Sequence, residues 1–289
     1  MIFFLLFSVF EGEFFLVGID AESWGRGGSG VVYPTTGYKN PASSLIMDPI
    51  LYLNGSKLFG DLANFISGGL SLNQIDYGFG IHFILHSVGD IYDTRNAWND
   101  ENESGYPEEG EEFYDGLKSS FFSRESALLA TYARWIGNFS VGMGVKFIYK
   151  KIQNALAVGA GVDVGIIYEM ENYSIGGVIR DIFTSPLFWD GRTEYIEPSF
   201  LLGMGFKRKV GRMPILFEVD LLKDDFGVNH NLGIEIGLND WLKIRGGFFN
   251  DQLTLGCGVM KKEFNVNYAL SLHSDLLISH RVSLSYRLR

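Results

Sequence analysis

Apolar and polar residues alternate with a period of two along most of this chain. In the stretch 140–150 the apolar positions are Val141, Met143, Val145, Phe147 and Tyr149, and glycine or lysine fills most positions between them. Because successive side chains of a β-strand point to opposite faces, this pattern predicts a strand with one apolar face. The alternation recurs up to the C-terminus, so we expect an all-β protein.

The alternation divides the chain into fourteen predicted antiparallel strands. Eight clear ones lie at 140–150, 155–168, 215–221, 231–238, 242–248, 253–259, 264–270 and 282–288, and six others at 43–53, 62–71, 75–88, 121–136, 172–182 and 195–207. Strands of ~10 residues exceed the usual globular length of about 5–6. Their polar faces hold mainly Gly, Ser and Asn with single charges. These features favour an up-and-down transmembrane β-barrel with its apolar face towards lipid over a soluble sandwich.

The connections between the predicted strands differ in length in a regular way. The two longest, 89–120 and 183–194, follow the third and seventh strands, whereas 137–138, 169–171, 208–212, 239–240 and 261–262 are short. Outer-membrane barrels place long loops outside the cell and short turns in the periplasm. With both termini in the periplasm, this pattern predicts a barrel in the outer membrane of a diderm bacterium.

The N-terminus and the cysteine content set further limits. Ile2 to Phe10 is nearly all apolar and has the size of a signal-peptide core, although it lacks a basic start and a clean cleavage site. We predict a signal peptide at 1–12; the alternative is a buried first strand. The single cysteine, Cys257, excludes a disulfide framework and a multi-cysteine metal site. We expect no metal and no cofactor.

Charge is concentrated in one connection. The chain has a net charge of −10, and most of the excess acid lies in the stretch 89–120. An acidic chain lacks the basic stripe of nucleic-acid-binding proteins, so we expect no nucleic-acid partner. The stretch itself is interpreted as a solvated extracellular loop, with a site for a divalent cation or a protein partner as the alternative.

The stretch "GRGGSG" at 25–30 has the glycine spacing of a dinucleotide-binding turn. That turn must open a helix, but the next residues, "VVYPTTGYKNP", contain β-branched residues and two prolines. We therefore predict no nucleotide site here. No nucleophile elbow occurs, and His82 and His86 would lie ~13 Å apart on one strand, too far to share a metal. The chain is not expected to be an enzyme.

Charged residues on the predicted inward faces form two groups. The first is Lys146, Asp163 and Arg180; the second is Glu218, Asp220, Glu235, Lys243 and Arg245. Pairing within each group would offset the cost of removing charges from water. A polar lining that steers or gates a ligand is the functional alternative. Separately, Gly68 and Gly69 are expected to weaken strand pairing and to mark a lateral opening in the wall.

The N-terminal stretch 14–43 resembles the start of the PorV/PorQ family, which belongs to the FadL-like outer-membrane barrels. The matching residues are Phe15, Leu16, Gly25, Gly27, Gly28, Asn40, Pro41 and Ala42. The stretches 144–151, 161–183 and 280–287 resemble later strands of the same family, in the same order. Glu22, Arg26 and the terminal Arg289 depart from the family pattern.

The resemblance implies a fourteen-stranded barrel at 43–289 whose N-terminal segment, 13–42, folds into the lumen as a plug. "GRGGSG" would then be a tight turn of this plug, packed against Lys146 or Asp163. FadL-like members pass long-chain fatty acids or other hydrophobic molecules, whereas PorV belongs to the type IX secretion system. Three functions follow from the resemblance: a hydrophobic-molecule transporter, a secretion or surface-assembly component with protein partners, and a plugged structural barrel. Outer-membrane lipid is the expected surroundings in each case.

Overall fold

The computed structural model describes residues 20–93, 97, 119–224, 227–273 and 277–288. The predicted signal peptide and most of the acidic stretch 89–120 lie outside these residues. Among the described residues, no helix is long and apolar enough to cross a bilayer.

Two short helices precede sixteen strands. The helices are α1 (Ala21–Gly25) and α2 (Ser43–Ile46). The strands are β1 (Ile50–Leu58), β2 (Ala63–Asn73), β3 (Tyr77–Asp93), β4 (Ser119–Ile136), β5 (Phe139–Ile152), β6 (Ala155–Glu169), β7 (Tyr173–Arg180), β8 (Ser185–Trp189), β9 (Arg192–Ile196), β10 (Ser199–Val210), β11 (Met213–Asp224), β12 (Gly227–Gly237), β13 (Leu242–Phe249), β14 (Gln252–Lys261), β15 (Phe264–Leu272) and β16 (Ser279–Arg287).

The sixteen strands form one closed antiparallel barrel with fourteen strand positions around its wall. Strand β1 pairs with both β2 and β16, and β5 pairs with β6, so the sheet has no free edge. Strands β7 and β8 pair with successive parts of β6 and together fill one position of the wall, with an interruption between them. Strand β9 pairs with β8 and β10 pairs with β7, so β9 and β10 together fill the next position. The predicted all-β, up-and-down barrel is confirmed.

The two ends of the barrel differ. We call the end with the connections 137–138, 170–172, 211–212, 238–241 and 262–263 the short-turn rim, and the opposite end, between β3 and β4, the long-loop rim. Most outward side chains between the two rims are apolar; examples are Leu53, Ile81, Phe147 and Leu202. Near the short-turn rim they include aromatic pairs with ring centroids about 5 Å apart: Phe79–Tyr132, Phe139–Tyr168, Tyr173–Phe206 and Phe264–Tyr286. Such a girdle marks the interface between membrane and water.

The first predicted strand, 43–53, was wrong over its first half. Residues Ser43–Ile46 form helix α2, and pairing starts only at Ile50. The cause is local, because the carboxamide of Asn40 accepts a hydrogen bond from the Ala42 amide (3.1 Å) and the Asn40 carbonyl accepts one from Ser43 (3.0 Å). This turn closes the chain into a helix where the alternation alone suggested extension.

Two predicted connections also proved to contain strands. The stretch 183–194 holds β8 and the start of β9, whose alternation is only five residues long in each strand. The predicted turn 208–212 shrinks to 211–212, since β10 continues to Val210 as an exposed hairpin rich in cations. Hydrophobic alternation does not reveal strand residues that extend beyond the apolar band of the wall.

Residues 20–47 lie inside the barrel. Helix α1 packs against β13 to β16, and α2 packs against β2 to β5. Between them the chain crosses the lumen and contacts β10 and β11. We call these residues the plug.

Candidate functional site

Glycines on the inward wall allow the plug backbone to approach. A Cβ atom added at Gly142 would collide with the backbone of Pro41 and Ala42, and one at Gly165 would collide with Asn40. The same holds for Gly233 and Gly247 against the backbone at 26–27. The inward glycines Gly142, Gly165, Gly233 and Gly247 therefore form a surface without side chains against which the plug backbone packs, and we call this surface the seat.

The "GRGGSG" turn lies in this seat. Gly27 and Gly28 adopt φ values of 68° and 71°, the left-handed conformation that favours glycine. The Gly27 amide donates a hydrogen bond to Thr254 Oγ1 (2.9 Å), and α1, which precedes the turn, has only five residues. The turn packs against β12 to β14, and the expectation that it would contact Lys146 or Asp163 was wrong. Those two residues face the later part of the plug, near Tyr38.

Two wall carboxylates bind the plug backbone. Asp220 accepts hydrogen bonds from the amides of Gly30 (2.8 Å) and Val31 (3.1 Å). Glu218 accepts them from the amides of Val32 (3.3 Å) and Tyr33 (3.1 Å). Charge-assisted bonds of this kind are about twice as strong as neutral ones. These carboxylates therefore hold the segment 30–33 in the middle of the lumen.

Plug cations balance these carboxylates. Lys39 forms an ion pair with Asp220 (2.9 Å), and the Arg26 guanidinium lies 3.7 Å from both Glu218 and Glu235. Burial alone would lower the pKa of Arg26, but the carboxylates, Glu218 first, outweigh it and raise the pKa above its usual value. Arg26, which departs from the PorV/PorQ pattern, is thus a fully buried cation in this chain.

The second predicted charge group extends this network. Glu235 pairs with Arg245 (2.6 Å) and Lys243 (2.8 Å), and Arg245 also reaches the plug residue Glu22 (3.3 Å). The structure thus brings all five predicted wall charges into contact with the plug or with one another. The plug partners Glu22, Arg26 and Lys39 were not predicted, because alternation says nothing about a segment outside the strands.

The first predicted charge group is only partly assembled. Lys146 pairs with Asp163 (2.9 Å), as expected, and also with Asp181 (2.7 Å), which was not predicted. Arg180 lies over the ring of Tyr38, 5.7 Å from its centroid. Burial raises the pKa of the Tyr38 hydroxyl well above its usual value, against the influence of Arg180. Tyr38 therefore stays neutral beside this group.

The wall is interrupted next to Lys146. Between β7 and β8, Asp181 and Thr184 have φ values of 52° and 58°, and Phe183 projects outward with 82 % of its surface exposed. A single backbone bond, from the Ile182 amide to the Val162 carbonyl (3.0 Å), bridges the interruption. In contrast, the pairing expected to weaken at Gly68 and Gly69 is continuous on both sides. Those glycines accommodate Tyr52, His82 and Phe83 side chains instead.

An apolar cluster lines part of the lumen in its long-loop half. Its inward members lie on β1 to β5, β8 and β9: Leu58, Ala63, Phe65, Ile84, Ala127, Leu129, Ile148, Leu187 and Ile196. Plug residue Tyr38 and wall residue Tyr52 complete the cluster. From the sequence we expected this face to be polar throughout. The available signal was an apolar residue between polar inward neighbours, such as Ile84 between His82 and His86.

A cavity of about 710 Å³ lies on the other side of the plug, at the short-turn rim. Its lining mixes charged residues such as Glu235 and Lys207 with Tyr33, Trp241 and Met260. Within the described residues, no cluster of histidine, cysteine and carboxylate side chains has the composition to hold a metal ion.

Comparison with known proteins adds to this picture. No protein-family model and no curated protein matches the sequence. Among solved structures, the toluene transporter TodX of Pseudomonas putida matches with a TM-score of 0.64 and 14 % identity, over 94 % of this chain and 98 % of that one. The toluene transporter TbuX of Ralstonia pickettii matches with a TM-score of 0.61 and 12 % identity, over 94 % and 99 % of the two chains. A deltaS2 mutant of the TodX monoaromatic hydrocarbon channel gives 0.61 and 14 %, with the same coverage as TbuX.

At these identities the likeness concerns the fold. The closed barrel, its apolar outer wall and its aromatic girdle agree with that likeness. The chain is an outer-membrane β-barrel with the fold of the toluene transporters TodX and TbuX.

Proposed function

We propose that this barrel binds small hydrophobic molecules, such as fatty acids or aromatic hydrocarbons, and passes them across the outer membrane. The observation that carries the proposal is the inward apolar cluster in the long-loop half of the lumen. A smaller inward group, Val178, Leu201 and Leu222, packs against Val31 and Val32 of the plug. The toluene transporters with the same fold support this choice of substrate class.

The route would pass the plug. The apolar cluster lies on the long-loop side of the plug, and the cavity lies on its short-turn side. The interruption between β7 and β8 adjoins both the plug residue Tyr38 and the cluster residue Leu187. A hydrophobic molecule that leaves the cluster has two exits: past the plug into the cavity, or sideways at 181–184 into the membrane. Because burying apolar surface is worth ~25 cal/mol per Å², the membrane exit costs such a molecule less than water does.

Binding by the purified, delipidated barrel tests the proposal. Decanoate or toluene should raise its thermal stability in a saturable manner. The double variant Ile84→Asn/Ile148→Asn should weaken binding about tenfold, equivalent to ~1.4 kcal/mol, while Ile84→Leu/Ile148→Leu should bind like the parent. Heat-dependent mobility in SDS gels verifies that all variants are folded. If the parent shows no saturable stabilisation, or the Asn variant binds as tightly as the Leu variant, the proposal is wrong.

Membership of the PorV/PorQ family, with a role in type IX secretion or surface assembly, is the alternative. It rests on the motif order in the sequence, and the acidic stretch that would receive a partner lies mostly outside the described residues. Affinity purification from native envelopes distinguishes the two. A stoichiometric protein partner would favour assembly, and its absence, together with saturable ligand binding, would favour transport.

A further inference from the structure

Charges on the outer wall of the barrel have one sign. In the regularly paired parts of the described strands, every charged side chain in the outward phase is basic: Lys57, Arg124, Arg134, Lys151, Arg208, Lys223 and Lys261. The carboxylates of the same strands lie in the inward phase; Asp90, in the bulge between Val88 and Ile91, is outside the regular pairing. The whole chain has 34 acidic and 24 basic residues, so composition would favour the opposite sign.

Three of these cations lie at the short-turn rim, each next to the aromatic girdle. Arg134 is the cross-strand partner of Tyr77, whose ring is 5.4 Å from that of Phe79. Lys261 is the cross-strand partner of Phe264, which packs on Tyr286 at 4.8 Å.

Arg208 repeats the arrangement. It follows Phe206 by two residues on the same face, and Phe206 packs on Tyr173 at 4.9 Å. All three cations are exposed, and none forms an ion pair with another residue of the described part of the chain. The same combination of a free cation and an aromatic pair thus occurs at three places around the barrel.

We propose that Arg134, Arg208 and Lys261 are binding sites for the phosphate of anionic phospholipids in the leaflet at the short-turn rim. Aromatic girdles lie at headgroup depth, so a cation one step beyond a girdle residue meets the phosphate layer. If these positions required only a polar side chain, carboxylates would occur there as well, because at this depth a carboxylate costs no more than a cation. The exclusion of carboxylates points to an anionic partner. This inference is independent of the proposed transport.

Native mass spectrometry of the barrel released from mixed nanodiscs tests the sites. The nanodiscs contain phosphatidylglycerol and phosphatidylcholine in equal amounts, and the readout is the ratio of the two lipids that stay bound. The variant Arg134→Gln/Arg208→Gln/Lys261→Gln should lose the preference for phosphatidylglycerol, by about fivefold for each cation (~1 kcal/mol). The control Lys209→Gln/Arg212→Gln/Lys262→Gln removes the same charge from inward or turn positions of the same rim and should keep the preference.

Two results would overturn the inference. One is a parent barrel that retains both lipids equally; the other is an equal loss in the variant and the control, which would indicate only the general charge of the rim. If the triple variant does not fold, the three single variants replace it. Each should lower the ratio on its own, and three single variants with the parent ratio contradict the proposal.

Discussion

The plug is held in two different ways on the two sides of the lumen. Towards β10 to β14, it is bound by buried charges: Glu218, Asp220 and Glu235 pair with Arg26 and Lys39, and Arg245 pairs with Glu22. Towards β2 to β6, it is bound by close packing and neutral hydrogen bonds, such as those from Ser140 Oγ to the Ala42 carbonyl (2.7 Å) and between Ser44 and Thr131 (2.8 Å).

The difference follows the placement of the apolar cluster. Buried ions are costly unless each has a partner, and they draw in water when a partner moves. The charged anchor lies away from the cluster, and the neutral anchor lies beneath it. On the β2–β6 side the plug contacts are neutral, and the buried charges there pair within the wall, Lys146 with Asp163 and Lys150 with Glu125. The charges on the opposite side pair with the plug and fix its position.

Removing the charged anchor should have the largest effect. In Glu218→Gln/Asp220→Asn, Lys39 loses its carboxylate partner and Arg26 keeps only Glu235. Breaking a buried pair typically costs ~3–5 kcal/mol. We expect the plug to leave its seat and the melting temperature to fall. Limited proteolysis, read by mass spectrometry, should show new cleavage within residues 26–39.

The exposed carboxylate Asp240, at the short-turn rim, gives the control. Asp240→Asn should leave the cleavage pattern unchanged. An intact plug in the double variant would mean that packing alone holds it and that the buried charges of β11 are not needed to anchor it.

The neutral anchor is tested by filling one glycine of the seat. In Gly142→Val the new side chain collides with the backbone of Pro41 and Ala42, so the plug must shift on this side only. Overpacking costs ~1–3 kcal/mol. Hydrogen exchange should increase in residues 40–46, with smaller changes at 30–33, where Glu218 and Asp220 still bind.

Gly55→Val is the matched control, because Gly55 points outward and has no atom within 4 Å of an added Cβ. It should leave exchange in the plug unchanged. Equal exchange in both variants would show that the glycine seat does not position the plug.

The barrel was predictable from the sequence because each strand carries its own signal. Alternation in β5 or β11 depends only on residues within the strand, and pairing of neighbours follows from the short turns. The inward positions of Lys146 and Glu218 follow from the same phase. Strand order and closure needed no long-range information beyond this.

The contacts of the site depend on long-range information. Which plug residue meets Glu235 or Gly142 is decided by how a non-repeating segment crosses the lumen, and no period describes that path. The interruption at 181–184 was missed although one signal was present. Asp181 falls in the outward phase of β7, after Ile175 and Ile179, where a carboxylate breaks the apolar pattern, and its φ of 52° ends the strand. The inward apolar cluster was hidden because each strand contributes only one or two of its residues.

The smallest effect is expected where a charge pair lies in water. Lys57 and Asp61 form an ion pair at 3.0 Å, close to the 2.9 Å of Lys39 and Asp220, but both side chains of the first pair are 62 % exposed. Exposed pairs contribute only ~0–1 kcal/mol, since water screens the charges in both the folded and the unfolded state. Lys57→Met should therefore shift the melting temperature very little, whereas Lys39→Met leaves Asp220 buried with two amide donors and no cation.

Differential scanning calorimetry measures the melting temperatures of the two variants, each of which removes a lysine from a carboxylate at almost the same distance. A Lys39→Met barrel as stable as Lys57→Met would mean that the amides of Gly30 and Val31 suffice to neutralise Asp220, and that the backbone of the plug, not its cations, balances the wall charge.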